Sequence, residues 1–187
     1  PNIQLATDSA AANRWRNNQG GVYIASGVGG AITGRGANLL VIDDPVKNRE
    51  DAESEVYRDM TWNWWRSTAR TRLMNALDGM PPRVVVINTR WHEDDLVGRI
   101  LDNDTDNRWT RLTLPAMKEG KALWPEMYPV SDLQETQHEI GSREWNALYM
   151  QNPTPDEGDF FRREWFAYYT DSGRLIANTP FAVYMSS

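Results

Sequence analysis

The sequence predicts an α/β fold in which helices flank a layered, mostly parallel sheet. Two aliphatic runs, 39–42 and 84–87, each end in polar residues, which is typical of strands buried on both faces of a sheet. Between these runs, residues 49–74 carry apolar side chains near helical spacing. Strands that alternate with helices in this way favour an α/β architecture over an all-β or all-α one.

The amino-terminal part of the chain predicts a hairpin followed by a loop. Residues 14–26 contain two strand-like runs separated by an Asn- and Gly-rich turn, the pattern of a β-hairpin. Residues 27–36 include five glycines and are expected to form a loop that leads into the strand at 39–42. Pro45 follows the acids that end this strand and prevents a simple helical continuation.

Helix-start patterns mark the next elements. Asn48, with Asp51 three residues later, predicts a helix start as an acidic variant of the capping box. The segment 49–74 fits either one long helix or two abutting helices. A second strand is expected at 83–88, and then a helix at about 94–101 with acids in its first turn, where the helix dipole favours negative charge.

Three further elements are expected between residues 109 and 149. Residues 109–114 alternate between apolar and polar side chains and predict a third strand. Ser131 with Gln134 predicts a capping box that opens a helix. Residues 142–149 are interpreted as another short helix.

Composition excludes several classes of protein. The chain has 187 residues, no Cys and a net charge of -6, from 20 basic and 26 acidic side chains. A disulfide framework and a thiolate metal site are therefore excluded, and no apolar run approaches the roughly 20 residues of a membrane-spanning helix. The acidic balance opposes a protein that coats nucleic acid with its whole surface, so any DNA contact is expected to be local. Because the chain starts at Pro1 and stops at Ser187 inside an apolar alternation, we expect it to be part of a longer protein.

The candidate site consists of polar residues at the ends of the two aliphatic strands. Asp43 and Asp44 directly follow the first strand, which is the form of a Walker B element. The first acid of such an element can hold Mg²⁺, usually through water, and the second can orient or deprotonate the attacking water. Asn88 and Thr89 end the second strand, where a polar side chain can sense the γ-phosphate of ATP. Each pair also has a simpler interpretation, as a turn, helix or strand cap.

Four motifs, in order along the chain, carry a resemblance to a known family. They are Gly-Gly-Ala-Ile-Thr-Gly-Arg-Gly-Ala-Asn-Leu-Leu-Val-Ile-Asp-Asp-Pro-Val-Lys at 29–47, Asn-Thr-Arg-Trp-His-Glu-Asp-Asp-Leu at 88–96, Leu-Trp-Pro-Glu at 123–126 and Trp-Asn-Ala-Leu-Tyr-Met-Gln-Asn-Pro at 145–153. Together these motifs resemble the large terminase subunit of tailed bacteriophages and their prophage relatives. The resemblance extends over about residues 13–166.

The resemblance implies a domain organisation. Residues 1–151 would be the carboxyl-terminal part of a packaging ATPase with a P-loop (ASCE-type) NTPase sheet, 152–179 a linker, and 180–187 the first strand of an RNase H-like nuclease domain. The sequence contains no Gly-x-x-x-x-Gly-Lys-[Ser/Thr] phosphate cradle. We therefore expect the cradle and the nuclease acids to lie outside these residues, and the chain alone to be inactive as an enzyme.

The resemblance also implies residue roles, with ATP and Mg²⁺ as cofactors. Asp43 matches the acid associated with Mg²⁺, and Asp44 stands where a catalytic Glu is common, although an Asp reaches about one methylene less far. Arg35 lies where related motors place an arginine finger that acts on a neighbouring subunit's nucleotide. Asn88 and Thr89 match the motif that couples hydrolysis to movement. For Arg35, pairing with an acid of its own chain is the alternative.

The implied activity is ATP-driven translocation of double-stranded DNA into the procapsid, with concatemers cut by the nuclease domain. The implied partners are the portal protein, the small terminase subunit and further copies in a ring, docked at the procapsid in the host bacterial cytoplasm without a membrane. Two alternatives remain at this point. One is a non-catalytic α/β module that docks a portal or small terminase partner, and the other is a helicase-like ATPase unrelated to packaging.

Overall fold

The computed structural model describes residues 2–30, 32 and 34–154, apart from the side chains of residues 8–10. All of them belong to the first of the chain's two units, Pro1–Pro155. Most of the expected linker at 152–179, and the whole expected strand at 180–187, lie outside the described residues.

The amino-terminal segment forms a three-stranded antiparallel sheet in the order β1-β2-β3. The predicted hairpin is confirmed as β2 (Arg14–Asn17) paired with β3 (Val22–Ile24), whereas β1 (Leu5–Ala11) was not expected. In the turn, the Asn17 side chain accepts hydrogen bonds from the backbone N–H groups of Gln19 and Gly21 at 3.0 and 2.7 Å. This Asn-centred bonding is why the Asn- and Gly-rich stretch reverses the chain.

The two aliphatic runs pair as parallel strands, as the sequence predicts, in a sheet of two strands. Strands β4 (Leu39–Asp43) and β5 (Arg83–Ile87) pair in parallel and in register, from Leu39 opposite Arg83 to Asp43 opposite Ile87. Adjacent placement of these strands is therefore confirmed. Parallel neighbours need a long crossover connection, which residues 44–82 supply.

The crossover contains two abutting helices, one of the two forms left open by the sequence. Helix α1 (Arg49–Glu53) begins as predicted, because Asn48 accepts a hydrogen bond from the N–H of Asp51 at 2.8 Å. Ser54 ends α1 and caps helix α2 (Glu55–Trp64) with its side chain. A π-helical segment and a 3₁₀ turn follow within the crossover, over Trp65–Ala69 and Arg70–Arg72.

The core lies on one face of β4 and β5. Its buried side chains come from β4, the crossover and the helix after β5, and they are Ile42, Trp65, Ala69, Leu96 and Ile100. On the other face, Leu39, Val41, Val85 and Ile87 are 44–58 % exposed. The prediction of burial on both faces is therefore wrong for the described residues. An aliphatic run reports strand propensity, but only elements distant in sequence decide whether its second face is covered.

Helix α3 (Leu96–Asp102) starts two residues later than expected. Asp95 has an extended backbone, with φ -76° and ψ 177°, and caps the helix by accepting the N–H of Gly98 at 2.8 Å. The acids expected in the first turn, Glu93, Asp94 and Asp95, therefore precede the helix. Because Asp is a preferred N-cap residue, the helix begins only after the last of these acids.

The third strand expected at 109–114 is not formed. Within the described residues this segment pairs with no other strand, and a short antiparallel hairpin follows it as β6 (Met117–Lys118) and β7 (Lys121–Ala122). Trp109 instead packs against Trp65, with ring centroids 6.1 Å apart. The expectation of a mostly parallel sheet thus holds for β4 and β5 alone, because the other described sheets are antiparallel.

Helix α4 (Val130–Glu144) follows Pro129, so the capping box predicted from Ser131 is wrong. Ser131 lies inside the first turn and its hydroxyl donates to the carboxylate of Asp132 at 2.9 Å. Gly141, with φ 79° and ψ 168°, interrupts the helix, and the chain resumes in a short helix that runs into the π-helical segment Trp145–Tyr149. The short helix predicted at 142–149 is therefore confirmed. No helix in the described part of the chain is both long and apolar enough to cross a membrane.

Candidate functional site

Four of the five residues predicted for the site lie at the carboxyl ends of β4 and β5. Asp43 is the last residue of β4 and lies opposite Ile87, the last residue of β5. Asp44 follows the first strand, and Asn88 and Thr89 follow the second. Because the strands are parallel and in register, polar residues that follow both of them share one edge of the sheet.

Asp44 joins the ends of the two strands. Its backbone N–H donates to the carbonyl of Ile87 at 3.0 Å, and its carboxylate Oδ1 accepts the backbone N–H of Thr89 at 2.7 Å. Its φ of 38° lies in the left-handed region, which Asp tolerates better than most residues. Asp44 thus holds one carboxylate oxygen at a fixed place beside β5, while its side chain remains exposed.

Asp43 offers a carboxylate that suits a hydrated cation. The alternation along β4 places its exposed side chain on the face opposite the buried Ile42. The described residues contain no group of three or more His, Cys, Asp or Glu side chains that could hold a metal ion. Mg²⁺ is usually held by one or two carboxylates together with water and substrate phosphates, and the exposed Asp43 carboxylate is a ligand of the type that this ion takes.

The amide of Asn88 is only half satisfied. Its Nδ2 donates to Oδ2 of Asp95 at 3.2 Å, whereas its Oδ1 is buried and has no hydrogen-bond partner among the described residues. An unpaired buried acceptor costs about 1–3 kcal/mol. Asn88 is therefore held towards Asp95 by one hydrogen bond of 3.2 Å, and its unpaired Oδ1 lowers the stability of the fold.

A buried ion pair that was not predicted from the sequence lies next to Asn88. Arg90 Nε donates to Asp95 Oδ2 at 2.7 Å, and the two residues are 9 % and 2 % exposed. Burial raises the pKa of the Asp95 carboxyl, against the opposing effects of Arg90, the Gly98 N–H and Asn88. The available signal was the position of Asp95 directly before the first apolar residue of a helix, which is typical of an N-cap.

Arg35 is not brought to this edge of the sheet. It precedes β4, whose five residues span about 13 Å between the first and last Cα atoms, so it lies beyond the opposite end of that strand from Asp43. Its side chain is exposed and forms no hydrogen bond or ion pair with other described residues. The predicted surface position of Arg35 is confirmed, whereas its role stays a prediction.

Arg49, in the segment after β4, binds the segment after β5. Its Nη1 donates to the backbone carbonyl of Trp91 at 2.5 Å, and its guanidinium lies 5.4 Å from the centre of the Trp91 ring. The same side chain pairs with Glu53 at 3.2 Å and with Glu144 through a shorter hydrogen bond. The segment after β4, the segment after β5 and the end of α4 are therefore connected through one cation.

An open cavity of about 490 Å³ lies beside α3, away from the predicted residues. Both basic and acidic side chains line it, including Arg90, Asp94 and Arg111. None of the four residues at the sheet edge is among the lining residues. The cavity is therefore distinct from the candidate site.

Comparison of the chain with protein-family models gives no match, and comparison with curated proteins gives none.

Proposed function

We propose that this chain supplies the Walker B and coupling residues of the ATPase in a large terminase subunit, which uses ATP hydrolysis to move double-stranded DNA into a procapsid. One observation carries the proposal. The paired acids after β4 and the Asn-Thr pair after β5 meet at the carboxyl edge of a parallel strand pair, where α/β sheets bind their ligands.

The residues at this edge can perform distinct parts of ATP hydrolysis. Asp43 would hold hydrated Mg²⁺, which when bound neutralises charge on the transferred phosphate. Asp44 has one oxygen committed to the Thr89 N–H and no other side-chain hydrogen bond with the described residues. Its second oxygen can therefore accept a hydrogen bond from a water molecule and orient that water towards the phosphate.

The remaining parts of the proposal depend on the motif resemblance. On that basis the complete protein would act as a homo-oligomeric ring on the procapsid in the host bacterial cytoplasm, with the portal protein and small terminase subunit as partners. Residues outside this chain would supply the phosphate cradle and the nuclease acids. The 187 residues alone would accordingly bind ATP weakly and hydrolyse it negligibly.

The test is Mg²⁺-dependent ATP hydrolysis by the full-length protein and its variants. Asp43→Ala and Asp44→Asn should each lower turnover by about 100-fold or more, the usual contribution of a positioned acid or base. Asp106→Asn, in an exposed loop, is the matched control and should keep wild-type turnover. Undiminished hydrolysis in both site variants would refute the assignment. A robust Mg²⁺-dependent rate from the isolated chain would show that the essential residues do not lie outside it.

A non-catalytic docking module is the second candidate, and one observation favours it. The open face of β4 and β5 presents four exposed apolar side chains, those of Leu39, Val41, Val85 and Ile87. Contiguous apolar surface of this kind is typical of interaction sites. If the full-length protein binds portal or small terminase subunit but shows no ATPase activity in their presence, the docking role is the correct one.

A further inference from the structure

We propose that Asp95 is a positioning residue for the candidate site, holding the end of β5 in place through Asn88 and Arg90. This inference deepens the proposed ATPase function and depends on it for its catalytic consequence. Asp95 itself does not belong to the exposed sheet edge, because its side chain is 2 % exposed. Its effect on the site must therefore pass through the residues that it binds.

One carboxylate closes the whole turn between β5 and α3. Oδ2 of Asp95 accepts hydrogen bonds from Asn88 Nδ2 at 3.2 Å and from Arg90 Nε at 2.7 Å. Oδ1 accepts the backbone N–H of Gly98 at 2.8 Å. An ionised carboxylate only accepts hydrogen bonds, so Asp95 can satisfy all three donors at once.

The two tethered residues flank Thr89. Asn88 and Arg90 are bound to the same oxygen, and Thr89 between them donates its backbone N–H to Asp44. Movement of either neighbour would shift that N–H relative to the Asp44 carboxylate. Asp95 therefore determines where β5 presents its donor to the acid that we assign to water orientation.

The two oxygens of Asp95 have separable roles. Oδ1 caps α3, whereas Oδ2 holds Asn88 and Arg90. Asp95→Asn keeps an oxygen that can cap the helix, since Asn is as good an N-cap as Asp. The same substitution places an amide donor where two donors already converge, so it removes the positioning contacts while it retains the cap.

The adjacent acid provides a matched control. Asp94 pairs with Arg99 at 2.6 Å and with Arg58 at 3.0 Å, and it has no hydrogen bond to Asn88 or Arg90. Asp94→Asn removes one negative charge from the same turn. Any effect specific to Asp95→Asn is therefore not an effect of net charge.

The first experiment measures ATP turnover in the full-length protein. Asp95→Asn should lower kcat about tenfold or more, because small misplacements of a positioned group have large effects on rate. The KM for ATP should change by less than about threefold, since the phosphate cradle is unaffected. Asp94→Asn should retain the wild-type kcat. Wild-type kcat in Asp95→Asn, or an increase in KM alone, would refute the positioning role.

The second experiment does not depend on ATPase activity. In the wild-type protein and in Asp94→Asn, NMR should show slow solvent exchange of the Asn88 side-chain amide protons, and in Asp95→Asn this exchange should become fast. Unchanged slow exchange would refute the proposal even if ATPase activity is absent. If wild-type protein shows the protected amide but no hydrolysis, the proposed function fails while the positioning contact stands. Should Asp95→Asn not fold, Asp95→Ser, which keeps a capping oxygen without the added donor, takes its place in both experiments.

Discussion

Asp44 and Thr89 are 45 positions apart in the sequence, and a 2.7 Å hydrogen bond joins them at the site. The donor is the backbone N–H of Thr89, a group that every residue except proline possesses. The motif resemblance attaches importance to the Thr89 side chain, whereas the observed contact uses its main chain. The coupling role of that side chain therefore remains a prediction, and the geometric role of the backbone is an observation.

Arg35 carries the prediction that is most specific to a ring-shaped motor. It is exposed, and it precedes the amino end of β4, whereas Asp43 and Asp44 lie at the carboxyl end of that strand. A finger that acts in trans contributes about 10³- to 10⁵-fold in rate in other phosphoryl-transfer systems. We expect full-length Arg35→Ala to bind ATP nearly normally and to lose turnover, as measured by nucleotide binding and ATPase assays.

Mixed rings provide the control for this prediction. Combining Arg35→Ala with Asp44→Asn subunits should restore part of the activity, because some interfaces then pair an intact finger with an intact acid. No recovery in rings of confirmed assembly would indicate that Arg35 acts within its own subunit.

Helix α3 depends on close approach of the chain at Gly98. A Cβ atom at this position would lie 1.9 Å from the backbone oxygen of Glu93, so the preceding turn would have to move. Alanine is favoured over glycine in a helix by about 1 kcal/mol, but overpacking against backbone costs about 1–3 kcal/mol. The steric cost should therefore equal or exceed the gain in helix propensity.

We expect Gly98→Ala to weaken α3 and the turn that Asp95 closes. Native-state hydrogen exchange of the α3 amides measures this directly, since it reports the local free energy of opening. Gly27→Ala is the control, because a Cβ there meets no atom within 4 Å and its φ is outside the left-handed region. Faster exchange in α3 for Gly98→Ala alone is the expected result. Equal protection in both variants would contradict the close packing at Gly98.

Ion pairs in the described part of the chain connect α2 with α3, two helices that are far apart in the sequence. Arg99 of α3 pairs with Asp94 before the helix at 2.6 Å and with Asp59 of α2 at 2.7 Å. Arg58 of α2 also binds Asp94, at 3.0 Å. Asp94 therefore binds one arginine from each of the two helices, Arg58 of α2 and Arg99 of α3.

This arrangement predicts how stability depends on pH. The hydrogen bonds from Arg99, followed by those from Arg58, lower the pKa of Asp94 below its usual 3.8 despite partial burial. A lowered pKa means that Asp94 stabilises the fold above pH 3.8 and loses this contribution as the pH falls through its folded-state value. The melting temperature of Asp94→Asn should therefore lie below that of the wild type near neutral pH, and the difference should shrink in acid. A difference that does not vary with pH would exclude this linkage.

Two other carboxyls, those of Glu53 and Asp95, also change how the stability of the fold depends on pH. Burial opposes ionisation of Glu53, but Arg143 and Arg49 outweigh it and lower the pKa, so Glu53 also stabilises the fold above its usual 4.5. Asp95 has the opposite sign, because burial raises its pKa and its protonation favours the folded state as the pH falls. NMR titration should accordingly find that Asp95 takes up its proton at a higher pH than Asp94.

Local sequence determined several features of this protein by itself. The hairpin after Arg14, the strands at 39–43 and 83–87 and the helix start at Asn48 were all predictable. Each has a signal among residues close in sequence, such as an Asn side chain bonding a nearby N–H or a run of aliphatic residues bounded by turn formers. The placement of Asp43, Asp44, Asn88 and Thr89 at one edge of the sheet also followed, because parallel pairing of two such strands brings their ends together.

Tertiary structure alone decided the features that require distant partners. Alternation at 109–114 indicated a strand, but a strand also needs a neighbour for its hydrogen bonds, and this segment packs Trp109 on Trp65 instead. Which face of β4 is covered depends on where the crossover helices lie, not on the strand's own residues. The ion pair between Arg90 and Asp95 likewise could not be predicted from the spacing of apolar residues. It arises only when the turn after β5 closes and removes both charges from water.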